Sequence, residues 1–434
     1  MRNILSGTRP FRHRNVRLYA WFTVFYNARA YYPIFAILFL DLGLSYEQFL
    51  FLNAIWAASI FLLEIPSGAL ADTIGRKKLI VSAALMMILE MTCLLFAPQN
   101  GGIVLFTMIL LNRILSGASE AAVSGADQAL AYDTLKSENE ESHWDEVLAA
   151  VLTLRSAGFF SATILGALLY DPSIITKAIP AMAHIDRSLA LRLPLVLVFL
   201  QSFVCLFLAL KMKDTELSSS EPPSLKKAFT TTLSAAKWVF TTPIACIIIV
   251  GGVLADSLPR TFATLTSSYF RLIDLPTWLF GFLGALFAIT GMLTPKLAQK
   301  FSQKLPPRTH LLLIITWACA SLLCVAPAFS WYGIIPAIAV MACLSWTNFV
   351  TSSELNKIAD SSQRATVLSV KGLAFNLGYG AASLGFAGAV AGFHKSGFTK
   401  DQAFQATLWW QPVLLLALLA AFFIWSKKKA TMNG

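Results

Sequence analysis

The chain has 434 residues, 56% of them apolar and only 13% charged, with a mean hydropathy of +0.65. A soluble domain carries about 45–50% apolar and about 25% charged residues, so a cytosolic enzyme, a disordered chain and a secreted disulfide scaffold are excluded. The net charge of +11 would suggest nucleic-acid binding in a soluble protein; in a chain this apolar it reads as membrane topology, and no nucleic-acid partner is expected.

In chain order, the N-terminal stretch carries Arg2, Arg9, Arg12, Arg14 and Arg17 and no cleavable signal, so the first apolar segment is expected to be retained. Segments long enough to cross about 30 Å of hydrocarbon fall at 18–40, 48–71, 79–97, 102–126, 146–169 and 193–210. A second set falls at 243–269, 278–298, 310–328, 332–352, 366–391 and 404–425. The spacing predicts an all-α membrane protein with twelve transmembrane helices. They form two six-helix bundles, 1–212 and 243–434, joined by a linker at 213–242. Within the linker, Leu225, Phe229, Leu233 and Val239 recur near helical spacing beside Lys226, Lys227 and Lys237. That pattern fits either an amphipathic helix on the inner leaflet or a solvated connector.

Several charged residues fall inside these spans. Arg29 stands mid-way along the first, with Asn27 two residues before it and Tyr26 and Tyr32 flanking it; these are candidate substrate-binding residues together with Arg260. An arginine there costs at least about 2.5 kcal/mol unless water or a partner meets it. It is expected to face a central cavity or to be satisfied structurally. The fourth span carries Arg113, Glu120 and Asp127 seven residues apart, which predicts a shared face. Glu90 lies in the third span and Arg155 in the fifth. The seventh carries Arg260, with Asp256 four residues earlier on the same face, where it could neutralise it.

A shift of 231 residues lays Leu44–Trp56 on Leu275–Phe287 and Arg29 on Arg260. Two guanidiniums from opposite halves would make a clamp for an anionic cargo, since each can fork onto carboxylate or phosphate. A cargo anion competing for an arginine would release a carboxylate to bind a proton. Glu120 is the first candidate carrier and Asp256 the second, with Arg113 and Arg155 as their partners. Fixed ion pairs are the alternative.

The connector between the second and third spans reads Gly68-Ala69-Leu70-Ala71-Asp72-Thr73-Ile74-Gly75-Arg76-Lys77-Lys78. Together with Glu64-Ile65-Pro66-Ser67, Asn112–Gly117 and Arg364-Ala365-Thr366-Val367-Leu368-Ser369, it resembles the signature strings of the major facilitator superfamily. The main string departs from that pattern at Thr73, where a basic residue is usual. The resemblance implies a secondary active transporter whose two pseudo-symmetric bundles rock about a central site. It also implies a gate in which Asp72, Arg76 and Asp127 form a charge network. Gly68 would let helices approach, and Gly75 would permit a tight turn. The matching second-half loop, 297–308, keeps basic residues but lacks the Asp and Gly, so the gate would be asymmetric. Arg29 and Arg260 are similar in position to the paired arginines of the superfamily's organic-phosphate antiporters. The fifth span lacks the Gly-Pro signature of its drug exporters, which weakens a drug-efflux reading.

Of the 34 cationic residues, the count places twenty-four on the side of the termini, six on the other side, and Arg29, Arg113, Arg155 and Arg260 within spans. That bias predicts an even number of spans with both termini cytoplasmic, and the transporter reading is of the bacterial inner-membrane type. No phosphate-binding nucleotide loop, metal-ligand spacing or catalytic constellation is visible, so an enzyme, a cofactor and a metal are not expected. The sequence thus predicts a monomeric, proton-coupled transporter of a small organic anion, in contact only with protons, cargo and lipid. Efflux of amphipathic drugs and a non-transporting membrane sensor are the rivals.

Overall fold

A computed structural model describes residues 9–178, 186–214, 225–302, 304–360 and 363–431; the linker stretch Ser218–Pro223 lies outside them. Among the described residues every regular element is helical. The first half holds α1 (Arg14–Asn27), α2 (Phe35–Leu42), α3 (Tyr46–Ile74), α4 (Arg76–Leu95), α5 (Gly102–Val123), α6 (Ala126–Ser137), α7 (Trp144–Tyr170), α8 (Pro172–Ala178) and α9 (Arg187–Lys211). The linker helix is α10 (Leu225–Thr241). The second half holds α11 (Pro243–Leu272), α12 (Leu279–Ser302), α13 (Pro307–Val325), α14 (Ile334–Ile358), α15 (Arg364–Lys395) and α16 (Lys400–Thr431).

Among the described residues, eleven helices are long and apolar enough to cross a membrane. The remaining crossing is built from two pieces, α1 and α2. Local chemistry sets the joints. Gly43 ends α2 at φ +114°, and Ser45 opens α3 with a reciprocal cap: its Oγ accepts from the Gln48 amide while its own amide donates to Gln48 Oε1. Asp186 caps α9 by accepting from the Leu189 amide.

Two helix pairs and one half-helix carry the seam between the halves: α3 against α15, α7 against α12, and α2 against α11. Their closest cross-half contacts lie on the side away from the termini. Asp41 accepts two parallel hydrogen bonds from Arg271, at 2.7 and 2.8 Å, and others from Arg187 and Tyr170. Glu47 pairs with His394 at 2.9 Å, and Tyr46 stacks on Phe404. Gly281 of α12 sits so close to α7 that a Cβ would lie 2.5 Å from the Thr163 carbonyl oxygen. This side is therefore closed. The amides of Ala36 and Ile37 both donate to Ser267 Oγ, at 3.0 and 3.2 Å. Ala36 and Ser267 are 231 residues apart, so the shift that aligns Arg29 with Arg260 also joins two touching positions, as expected where a two-fold axis passes.

Candidate functional site

The site begins with the interruption at Ala28–Tyr31. Pro33 lacks an amide proton, and its ring would collide with the Arg29 carbonyl in a continuous helix, so α1 stops before it. The carbonyls freed by the break need donors, because in hydrocarbon water cannot supply them. Gln201 Nε2 on α9 donates to the carbonyls of Phe25 and Ala28. Gly166 on α7 lets the Ala30 carbonyl approach so closely that a Cβ would lie 1.6 Å from its oxygen.

Arg29 lies in this break, 4% exposed, and pairs with the fully buried Glu90 of α4. Its Nε also donates to the Tyr26 carbonyl at 3.1 Å. The expected meeting of Arg29 with Arg260 is thus replaced in this structure by an ion pair within the first half. Tyr26 is buried, its hydroxyl 2.7 Å from that of Ser119. Asn27 donates back to the Thr23 carbonyl. Tyr32 is exposed and lies against Phe159 and Phe35.

On α5, Arg113 is also 4% exposed but differs from Arg29 in its partners. Its Nε and Nη2 both donate to Asn112 Oδ1, at 2.9 and 2.7 Å, and it lies over the rings of Phe35 and Phe39. Among the described residues no carboxylate pairs with it. The Phe35 and Phe39 rings belong to α2, which packs against α11 at the seam, and Tyr31 and Tyr379 are among the groups the Arg113 charge reaches. Glu120, two turns further on, is solvent-exposed, yet Arg29, Glu90, Arg155 and Arg260 from four other segments reach it electrostatically. Glu120 thus stands among charges contributed by both halves. Arg155 is exposed on α7 and reaches Glu120 and Tyr19.

In the second half, Arg260 is held loosely. Asp256 Oδ2 is 3.7 Å away, an ion pair too long for a hydrogen bond, and Nη2 donates to Asn376 Oδ1 at 3.2 Å. The guanidinium lies over Tyr379 at 4.6 Å and over Trp56, from the other half, at 5.9 Å. Its side chain stays 30% exposed. Asp256 is buried, accepts no hydrogen bond at Oδ2, and has a second cation within reach, Lys371. Lys371 lies inside α15, within the span expected at 366–391, although the charge count groups it with the cations on the side of the termini. Its ammonium donates to Ser352 Oγ at 2.8 Å.

The gating residues are arranged differently from the expected network. Arg76 donates to Asp133 and to the Ala129 carbonyl of α6, not to Asp127. The helix carrying Glu120 breaks at Ser124 and Gly125 (φ +77°), so Asp127 does not continue the Arg113–Glu120 face. Asp127 instead occupies the first turn of α6, accepting from the Gln128 amide and Thr23. Gly68 has open space around it and makes no close approach. Gly75 does turn the chain, at φ +98°, and Asp214 accepts from the amide of Lys77, two residues on. The side chain of Asp72 lies outside the described residues.

Several contributors escaped the sequence reading. Lys371, Asn376, Tyr379 and Trp56 carry no signal beyond polarity or aromaticity within a span. Pro33, four residues after Arg29, could have announced the break. Among the described residues no cluster of His, Cys, Asp and Glu is placed to hold a metal.

No curated protein matches the chain by sequence. Solved structures share its architecture. A bacterial homologue of the human lysosomal transporter Spinster, inward-facing and unoccupied, superposes with a TM-score of 0.74 at 17% identity, covering 98% of each chain. The nucleoside transporter NupG, in a mutant form, gives 0.70 at 12% identity over 94% of this chain and 99% of its own. A D-xylose-proton symporter gives 0.60 at 12% identity over 93% and 95%. At these identities the likeness is one of fold. The family model for the Major Facilitator Superfamily matches residues 18–383, the greater part of both halves, and the chain is a member of that superfamily of membrane transporters.

Proposed function

We propose that this transporter carries a small organic anion, a carboxylate or a phosphate-bearing compound, coupled to protons. Arg113 carries the reading: a nearly buried guanidinium at the seam with no carboxylate of its own among the described residues. A buried charge without a counter-charge is costly, and an anionic cargo supplies that counter-charge only when bound. Arg260, partly exposed and loosely paired, is the opposing group. Arg29, committed to Glu90, holds the break in shape and acts on cargo through its neighbours Tyr26, Asn27 and Tyr32. An anion occupying Arg260 competes with Glu120 and Asp256 for it and frees a carboxylate to take a proton.

We read the protein as an inner-membrane transporter of the bacterial type with cytoplasmic termini, an orientation the positive-charge bias supports; on that reading the side closed by Asp41 with Arg271 and Glu47 with His394 is the outer one. Asp72 and Arg76 are assigned to the gate on the side of the termini. A rival reading, efflux of amphipathic drugs, of which lipophilic cations are one class, draws on the Tyr32–Phe159 contact, on Trp56 over Arg260 and on the exposed Glu120.

Uptake into proteoliposomes under an imposed pH gradient separates the two. Organic anions should accumulate through the wild type, and Arg260→Gln should abolish that uptake while remaining monodisperse. Extrusion of lipophilic cations that survives Arg260→Gln would overturn the reading.

A further inference from the structure

The helix α10 packs one face on the protein and leaves a second apolar face uncovered. Ala235 and Val239 are buried where it lies against α3, α15 and α11, so it touches both halves at once. Phe229, Leu233 and Phe240 point elsewhere, 49%, 71% and 58% exposed. At about 3.6 residues per turn these three share one stripe. That stripe does not lie opposite the packed face; it occupies the neighbouring quadrant. Lys226 and Lys237 follow on its other edge, and the polar side of the helix comes after them.

This order fits a bilayer boundary. A helix lying beside the bundle in the membrane plane presents, in turn, protein, acyl chain, headgroup and water. The apolar stripe sinks to the acyl boundary, and the lysines extend to the phosphates. The joint with α11 fixes the depth. Thr242 (ψ 107°) breaks the helix, Pro243 starts a membrane-crossing helix one residue later, and Phe240 stands just before the bend. The stripe therefore sits where a span enters hydrocarbon, and two lysines at its edge complement acidic headgroups.

We propose that α10 is a binding face for anionic phospholipid, seated on the bilayer by Phe229, Leu233 and Phe240 and held there by Lys226 and Lys237. Because its packed face rests on both halves, its lipid contact bears on the seam they share. This inference rests on the membrane fold alone and is independent of what the cargo is.

The test is Leu233→Cys in the full-length protein with its native cysteines replaced. The site is labelled with an environment-sensitive fluorophore, and the protein is reconstituted in phosphatidylcholine with or without phosphatidylglycerol. Phe229→Cys provides a second site in case the first label disturbs folding, which gel filtration monitors. The expected result is strong quenching by a headgroup-level lipid quencher and protection from aqueous iodide in phosphatidylglycerol. The same label should shift towards iodide in pure phosphatidylcholine or with Lys226→Gln and Lys237→Gln. Iodide quenching in both lipids would show a solvated face, protection from both quenchers would show a face covered by protein, and lipid quenching indifferent to headgroup charge would remove the anionic recognition. Each of these overturns the proposal.

Discussion

Four guanidiniums lie inside spans that the sequence marks as apolar, and their partners distinguish them. Arg29 is enclosed with Glu90, so each needs the other. Removing one partner leaves the other charge buried alone, at a cost of roughly 3–5 kcal/mol, whereas replacing both with apolar residues is far milder. Thermal unfolding in detergent should therefore show Arg29→Met and Glu90→Met each strongly destabilised and the double variant closer to wild type. Arg113 should behave in the opposite sense. With no carboxylate to strand, Arg113→Gln should keep or raise the melting temperature of the empty protein while losing anion binding; a collapse of the fold would show that Arg113 is structural. At this scale the sequence showed which residues were out of place in a membrane but not their pairings. Arg29 and Glu90 are 61 positions apart, and no local spacing announces that their helices meet. Glu120 and Asp256 were legible as titratable groups in hydrocarbon, whereas Lys371, near the start of its span, was grouped with the cations on the side of the termini.

Among the elements, the broken first crossing departs most from the sequence expectation. Its apolar length was plain, but its continuity depended on one proline. Gln201 and Gly166 hold the break from outside, and neither has a sequence signature that ties it to residues 25–30. Gln201→Leu would leave two carbonyls without their donor, a loss of about 1–3 kcal/mol for each buried acceptor left unsatisfied, read as a fall in melting temperature. Gly166→Val should do worse and fail to yield monodisperse protein, since no side-chain movement relieves a clash with backbone. A well-folded Gly166→Val would contradict the close contact of α7 with the break. The fourth span is the complementary case. Arg113 and Glu120 share α5, but the positive φ of Gly125 redirects the chain before Asp127. A period read across that glycine cannot hold.

For the whole molecule, twelve crossings, two halves and a 231-residue repeat were legible because hydrocarbon thickness and loop charge constrain the sequence strongly. The direction in which the halves tilt was not. It depends on contacts between distant segments, above all Asp41 with Arg271 and Gly281 with the α7 backbone. Asp41→Asn weakens a charged, bidentate contact and should favour opening of that side by roughly 1–3 kcal/mol. Gly281→Val overpacks the same side by a similar amount, about 1–3 kcal/mol. Both should raise the labelling rate of a cysteine placed beside Thr163, and an unchanged rate would show that these contacts do not set the balance.

The claim on which the account depends is that Arg113 and Arg260 receive a negative charge. The most direct measurement is ligand-induced thermal stabilisation of the purified protein, because a ligand that binds the folded state raises its melting temperature with concentration. Small organic anions, their uncharged amides and lipophilic cations are compared on wild type, Arg113→Gln and Arg260→Gln. The account predicts stabilisation by anions alone, absent for the amides and lost in both variants. Stabilisation by the amides or the cations that persists in Arg260→Gln would contradict it.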